Sequence, residues 1–261
     1  VRLFSNYLSP LANRKLSQIT DAQVSRLHRQ VGSKNGQYVA NRAVMLLSAV
    51  YNKAKKWKVC SGDNPASAIE LFREEAREKY LSKNEIRSLM DSVQKENDEK
   101  FTAFVQICLL TGVRSGNIVD MKWEQISDDS QQWEIPRENT KNKKSHVVQL
   151  TEQASAVLHS LSVDSTSDFV FHNGESQKAG RRFRYLFSKV TKRAGIECRV
   201  HDLRHTVASQ MASSGVSLPI IQEALGHLNF RSTLRYAHIA PSPVRESLRL
   251  VTEEFFVPKA G

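Results

Sequence analysis

The chain has 261 residues, 40 % hydrophobic and 25 % charged, which is enough to bury the core of one large or two smaller globular domains. Its 38 lysines and arginines exceed its 27 acidic residues and give a net charge of +11, which favours a polyanionic partner, most commonly nucleic acid. The sequence has no apolar run of membrane-spanning length, no signal peptide and only three scattered cysteines, so a disulfide framework and a membrane partner are disfavoured. It starts without Met, as a piece of a longer protein would.

The N-terminal part of the chain, residues 1–76, is predicted to be helical. Asp21 is a suitable N-cap for a short helix that ends near Gly32, and apolar residues at helical spacing predict a longer helix over 37–57. The other face of the longer helix carries four candidate DNA contacts, Arg42, Lys53, Lys55 and Lys56. A solvated helix face explains them equally well, but 53–58 holds four lysines and no acid, which is denser than solubility requires.

A charged run over 73–79 predicts an exposed linker and a boundary between domains at 1–76 and 77–261. Just beyond it, Ser82-Lys83-Asn84-Glu85 matches a capping box, in which Ser82 and Glu85 each satisfy a backbone N–H at a helix start. The second domain is therefore predicted to open with helices.

The segment T-G-V-R, ending at Arg114, breaks one helix at Gly112 and starts the next. Arg114 then lies at a helix N-terminus, where backbone N–H groups and the helix dipole favour an anion. The alternative is a structural salt bridge from Arg114 to Asp120 or Glu124.

Residues 132–135 and 146–150 alternate like the strands of a hairpin. The turn between them carries three lysines, Lys141, Lys143 and Lys144, of which Lys143 and Lys144 are further candidate DNA contacts. Turn lysines are usually solvated, but a desolvated lysine can donate a proton.

Beyond the hairpin, the pattern predicts a helix capped by Thr151, a short strand over 169–171 and a basic amphipathic helix over 181–194. The last of these carries Arg181 and Arg182, which makes it the second candidate DNA-facing surface.

The stretch 200–239 gathers the side chains best suited to a phosphate. His201 and Arg204 are three residues apart on a predicted helix and are expected to share a face, while His227 follows a helix end at Gly226. Tyr236 comes shortly after. For each histidine alone, a packed or surface position is the commoner case. Metal, a Ser/His/Asp triad and ATP are disfavoured, since no zinc spacing, nucleophile elbow or phosphate-binding glycine loop is present.

The ordered set T-G-V-R, H-D-L-R-H, L-G-H and Tyr236 resembles the tyrosine recombinases of the phage integrase family, over about residues 20–261. The resemblance implies a mainly α protein with a small β-sheet (α+β). It would have a helical core-binding domain and a mixed α/β catalytic domain that close on DNA as a C-shaped clamp. It also implies a site-specific recombinase without cofactors, working in the bacterial cytoplasm as a tetramer on DNA attachment sites, with accessory DNA-bending proteins as further partners.

The resemblance assigns a catalytic set of Arg114, Lys141, His201, Arg204, His227 and Tyr236. Arg114 and Arg204 would grip the scissile phosphate, and Tyr236 would attack it to form a 3′-phosphotyrosyl link. Lys141, with Lys143 and Lys144 as alternatives, would protonate the leaving 5′-oxygen.

The two histidines of that set, His201 and His227, would orient the phosphate and assist proton transfer. The family usually has Glu three residues after the first Arg, where this chain has Asn117, an amide in place of the supporting carboxylate. His205 also fits the motif, with a supporting or structural role as the expectation.

The tail 241–261 carries an apolar stripe at Val244, Leu248, Val251 and Phe255. It either packs on its own chain or, as the resemblance favours, docks on a neighbouring subunit. Two other functions stay open: a type IB topoisomerase, and a helical DNA-binding regulator without catalysis.

Overall fold

The computed structural model describes residues 2–74, 79–140, 144–162 and 166–239, together with 248, 249 and 252. The chain divides into two compact units, Val1–Arg77 and Glu78–Gly261. The described residues are mostly helical with one two-stranded sheet, which confirms the predicted α+β class. Within those residues, no helix combines the length and the apolar character that crossing a membrane requires.

The first unit is built on two packed helices, α1 (Asp21–Asn35) and α2 (Gln37–Lys56). Thr20, not Asp21 as predicted, is the N-cap of α1, because its side chain accepts from Gln23 N–H in a capping box while Asp21 occupies the first turn. Asn41 on α2 joins the helices to the following segment. Its side chain lies 2.9 Å from His28 Nε2 and accepts from the backbone N–H of Phe72.

The second unit contains eight helices among its described residues. They are α3 (Lys83–Gln94), α4 (Glu99–Thr111), α5 (Ser115–Val119), α6 (Glu152–Ser162), α7 (Ser176–Arg193), α8 (Val200–Ser213), α9 (Leu218–Leu225) and α10 (Arg231–Leu234). The predicted capping box at Ser82 and Glu85 is confirmed at the start of α3.

Helix α4 is apolar on most of its surface and packs against α5, α6 and α8. Its Phe104 stacks on Phe183 of α7 with ring centroids 4.7 Å apart, and both rings are buried. Burial of large aromatic side chains dominates the energetics of such a core, so α4 fixes the positions of its neighbours.

The two strands β1 (Gln132–Ile135) and β2 (His146–Gln149) form the predicted antiparallel hairpin, in which Trp133 is opposite Val148 and Ile135 is opposite His146. The predicted strand over 169–171 is wrong: Phe169 makes only an isolated bridge to Lys122, and Val170 N–H donates to Met121 C=O.

A third apolar cluster lies apart from the main core, on α8, α9 and the segment after α10. Its buried members are Ala208, Ala212, Ile221, Leu225 and Tyr236. It brings the segment that follows α10, including Tyr236, against the helix that carries His201, Arg204 and His205.

Gly112 ends α4 in a left-handed conformation, with φ of 63°. A Cβ added there would lie 2.8 Å from Leu225 Cδ2 and 3.1 Å from Val207 Cγ1. We expect Gly112→Ala to lower the free energy of unfolding by about 2–4 kcal/mol, because positive φ and overpacking each cost about 1–3 kcal/mol. Gly215→Ala is the matched control, since Gly215 has φ of 80° but open space around it, and it should cost only about 1 kcal/mol. If urea denaturation showed the same loss of unfolding free energy in both variants, packing at Gly112 would be unimportant.

Candidate active site

Arg204 is the most deeply buried cation of the site, with 4 % of its surface exposed. Its Nη1 donates to the backbone carbonyl of Gly112 at 2.9 Å, whereas Nη2 is buried with no hydrogen-bond partner among the described residues. Burial, and then the positive charge of Arg114, lower the pKa of Arg204 to about 10, so it remains a cation at neutral pH. An unpaired, buried guanidinium N–H costs free energy, and an anion would relieve that cost.

A cavity of about 320 Å³ lies beside Arg204. Its polar lining includes Arg114, Asn117, Thr140, His146, Arg204 and His227. Arg114 immediately precedes α5, as predicted. Arg114 takes part in none of the ion pairs among the described residues, and Glu124, one of its two expected partners, pairs with Lys122 instead. Two guanidinium groups on one cavity form a site for an oxyanion such as a phosphate.

His227 follows Gly226, which ends α9 in a left-handed conformation with φ of 61°. The Nδ1 of His227 lies 2.9 Å from the hydroxyl of the buried Thr233, which fixes the orientation of the ring. Burial, followed by the charges of Arg204 and Arg114, lowers the pKa of His227 to about 4. The imidazole is therefore neutral at neutral pH.

Tyr236 is buried, and its hydroxyl lies 2.6 Å from His205 Nδ1. Burial raises the pKa of Tyr236 above its ordinary value, while Arg235 and Arg204 lower it by a smaller amount. His201 is exposed, and its ring meets His205 edge-on at a centroid distance of 5.0 Å. Partial desolvation, followed by the charge of Arg204, lowers the pKa of His201.

The structure thus sorts the predicted residues into two groups on α8 and its neighbours. Arg114, Arg204 and His227 line the cavity, whereas His201 and Tyr236 meet around His205. His201 and Arg204 differ in environment, since Arg204 is buried and His201 is exposed in the first turn of the helix.

His146 is a cavity residue that the sequence did not reveal. One ring nitrogen hydrogen-bonds to the backbone of Ala224, while Nε2 is buried without a partner among the described residues. Burial lowers its pKa, and Arg204 and Arg114 lower it further. The strand pattern could have indicated this position. His146 is opposite Ile135 and two residues before the buried Val148, so His146 and Val148 lie on the same face of β2.

The hairpin lysines Lys141 and Lys143 lie outside the described residues, and Lys144 is exposed. Among the candidate DNA contacts, Arg42 pairs with Glu74 at 3.3 Å and stacks on Tyr38, and Lys53 lies over the Trp57 ring. Lys55 and Lys56 are exposed.

The two arginines predicted on α7 are both exposed, and Arg182 forms an ion pair with Asp98. The DNA contacts therefore stay predictions. In the described part of the chain, no three His, Cys, Asp or Glu side chains are arranged to hold a metal ion.

Comparison with known proteins finds a family model whose matched range includes Arg114, Arg204, His227 and Tyr236. The model of the phage integrase family matches residues 79–242. The integrase of Haemophilus phage HP1 (strain HP1c1) is 28 % identical over 260 residues, covering 95 % of this chain and 71 % of that protein.

Solved structures of lambda integrase have a similar fold at low identity. A dimer bound to a COC′ core site gives a TM-score of 0.71 at 16 % identity, covering 90 % of this chain and 71 % of that one. A tetramer bound to a Holliday junction gives 0.69 at 16 % identity, covering 87 % and 72 %.

Proposed function

The chain belongs to the phage integrase family, and from this premise we propose that Tyr236 cleaves DNA at specific sites and rejoins the strands through a 3′-phosphotyrosyl link. It is a tyrosine-type site-specific recombinase. The observation that supports the assignment of the site is the buried Nη2 of Arg204, which has no partner among the residues that the structure describes and lies on a cavity shared with Arg114 and His227.

In this proposal, Arg114 and Arg204 bind the non-bridging oxygens of the scissile phosphate. Charge accumulates on these oxygens in the pentacoordinate transition state, so two guanidinium forks stabilise it more than the ground state. His227, fixed by Thr233, contacts the same phosphate, and His201 assists from the exposed turn of α8.

The reaction exchanges one phosphodiester bond for another. Tyr236 Oη bonds to phosphorus as the bond to the 5′-oxygen breaks, and the hairpin lysine, Lys141, protonates that oxygen. The phosphotyrosyl link retains the bond energy, so the free 5′-hydroxyl of another strand can reverse the step without ATP or a metal.

The proposed partner is double-stranded DNA. The lambda integrase tetramer on a Holliday junction supports an equivalent tetramer on DNA for this chain. We further propose a core-binding domain at 1–76 and a catalytic domain at 77–261 that close around the duplex. Accessory DNA-bending proteins and a place on the bacterial nucleoid complete the proposal.

Covalent capture tests this function directly. Total DNA of the host cell is sheared, lightly nicked and incubated with the chain, and adducts that survive denaturant are isolated and sequenced at their 3′ ends. Recurrent junction sequences attached through Tyr236 support a site-specific recombinase. Relaxation of supercoiled plasmid regardless of sequence would instead indicate a topoisomerase, and binding without any adduct would indicate a regulator.

Inorganic phosphate should stabilise the protein through the arginine cavity. A ligand that binds only the folded state adds about 1.4 kcal/mol to the free energy of unfolding when its concentration is ten times its dissociation constant. For a chain of this size that corresponds to a rise of about 3–5 °C in the thermal unfolding midpoint. Arg114→Ala should remove the rise, whereas Arg184→Ala, at an exposed position of α7, should keep it. A rise in both variants, or with potassium chloride at equal ionic strength, would show that the phosphate binds elsewhere.

A further inference from the structure

The hydroxyl of Tyr236 is held by a histidine that does not line the arginine cavity. The distance of 2.6 Å between Tyr236 Oη and His205 Nδ1 is that of a short hydrogen bond. Tyr236 is 4 % exposed and His205 is half-buried, so water competes poorly for this contact. The phenol must lose its proton on becoming a phosphodiester, and a proton acceptor within hydrogen-bond distance promotes that loss.

The other histidines of the site are engaged differently. The Nδ1 of His227 lies at the hydroxyl of Thr233, and His201 is exposed and contacts the edge of the His205 ring. His205 is the imidazole that the structure places on the nucleophile itself. Its ring centroid lies 6.1 Å from that of Tyr236.

We propose that His205 is the general base of strand cleavage, accepting the phenolic proton of Tyr236 at Nδ1 as the oxygen attacks phosphorus. The inference rests on the proposed function of Tyr236. The Oη–P bond forms, the P–O5′ bond breaks, and the proton of Tyr236 passes to His205. The leaving 5′-oxygen takes a different proton, from the hairpin lysine. In rejoining, His205 returns its proton to the departing phenolate.

The charges around His205 suit a base that is neutral before DNA arrives. Desolvation and the groups His201, Arg235 and Arg204 lower its pKa to about 4, with Asp202 acting in the opposite direction. The lone pair of a neutral imidazole is available for a proton. A phosphate bound by Arg114 and Arg204 brings negative charge that offsets the arginines, which raises the basicity of His205 as the substrate enters.

The variants His205→Asn and His205→Ala distinguish a general base from a purely structural contact. The amide of Asn occupies the place of Nδ1 and holds the hydroxyl, but it does not accept a proton at neutral pH. The readout is single-turnover adduct formation on one duplex recovered by covalent capture, with thermal unfolding as the fold check. We expect both His205→Asn and His205→Ala to slow cleavage about 100-fold, the low end for general base catalysis. His159→Asn, at an exposed histidine of α6, should leave the rate unchanged.

Fluorinated tyrosine at position 236 provides the second measurement. A fluorinated phenol is more acidic and needs less help in losing its proton, so it should restore most of the rate in the His205→Asn protein. It should also change the wild-type rate little. Full activity of His205→Asn, or no rescue by the fluorinated residue, would overturn the base assignment.

A faster reaction in His205→Ala would overturn it as well, because it would show that the contact restrains Tyr236. An absence of adduct in the unmodified chain would refute the proposed function and not this inference alone.

Discussion

Replacing Tyr236 by Phe should abolish the covalent adduct, with a loss on the order of 10⁴-fold or more, because removal of a nucleophile leaves only background reaction. The ring itself stays in the apolar cluster with Ile221 and Leu225, so the packing is retained. The variant loses one hydrogen bond, to His205, which contributes about 1 kcal/mol. The protein should therefore remain folded and still shift the captured duplex in a native gel.

Tyr185→Phe is the matched control, because Tyr185 is an exposed tyrosine on α7 with no place in the site. Adduct formation is measured on a denaturing gel with a nicked duplex whose cleavage is irreversible. An undiminished adduct in Tyr236→Phe would mean that another residue is the nucleophile.

Replacing Arg204 by Met should lower the cleavage activity without lowering the stability of the fold. Cleavage should fall by about 10³-fold, the scale of losing a donor to transition-state charge. Stability should hold or rise. A cation whose folded-state pKa of about 10 lies below its ordinary value destabilises the fold at every pH below about 10, and the cost fades as the pH rises through that value. At neutral pH this cost is on the order of a few kcal/mol. It outweighs the hydrogen bond to Gly112, which contributes about 1–2 kcal/mol.

Arg193→Met provides the contrast. Arg193 donates to Ser92 Oγ at 2.8 Å and pairs with Glu96, so its removal should lower the thermal midpoint without affecting the cavity. Thermal unfolding midpoints measured at pH 7 and pH 10 test the direction of this effect, because the stability gained in Arg204→Met should be smaller at pH 10. A clear loss of stability in Arg204→Met at pH 7 would show that the guanidinium is compensated in the DNA-free protein.

The features that could be predicted from the sequence are those set by neighbouring residues. The capping box at Ser82 and Glu85, the helix end at Gly112 and the hairpin follow from local hydrogen bonding and backbone conformation. The strand predicted over 169–171 failed because a short apolar run is equally suited to a buried loop. There the Val170 N–H donates a single hydrogen bond to the Met121 carbonyl instead of joining a ladder.

The features that escaped prediction depend on partners distant in sequence. His205 meets Tyr236 across 31 positions, and Arg204 meets Gly112 across 92, which no spacing rule anticipates. His146 belongs to the cavity because α9 packs beside the hairpin, a consequence of tertiary structure alone. The pair His201 and Arg204 shows the limit of helical periodicity, since a shared face did not mean a shared environment at a helix end.

Gly226 has a role beyond ending a helix. Its missing side chain leaves room for the ring of His146, whose nearest atoms would lie 3.0 Å from a Cβ placed there. The strand that leads out of the lysine turn therefore rests directly on the backbone just before His227. A larger side chain at position 226 would have to displace the His146 ring, and with it the start of β2, from the backbone beside His227.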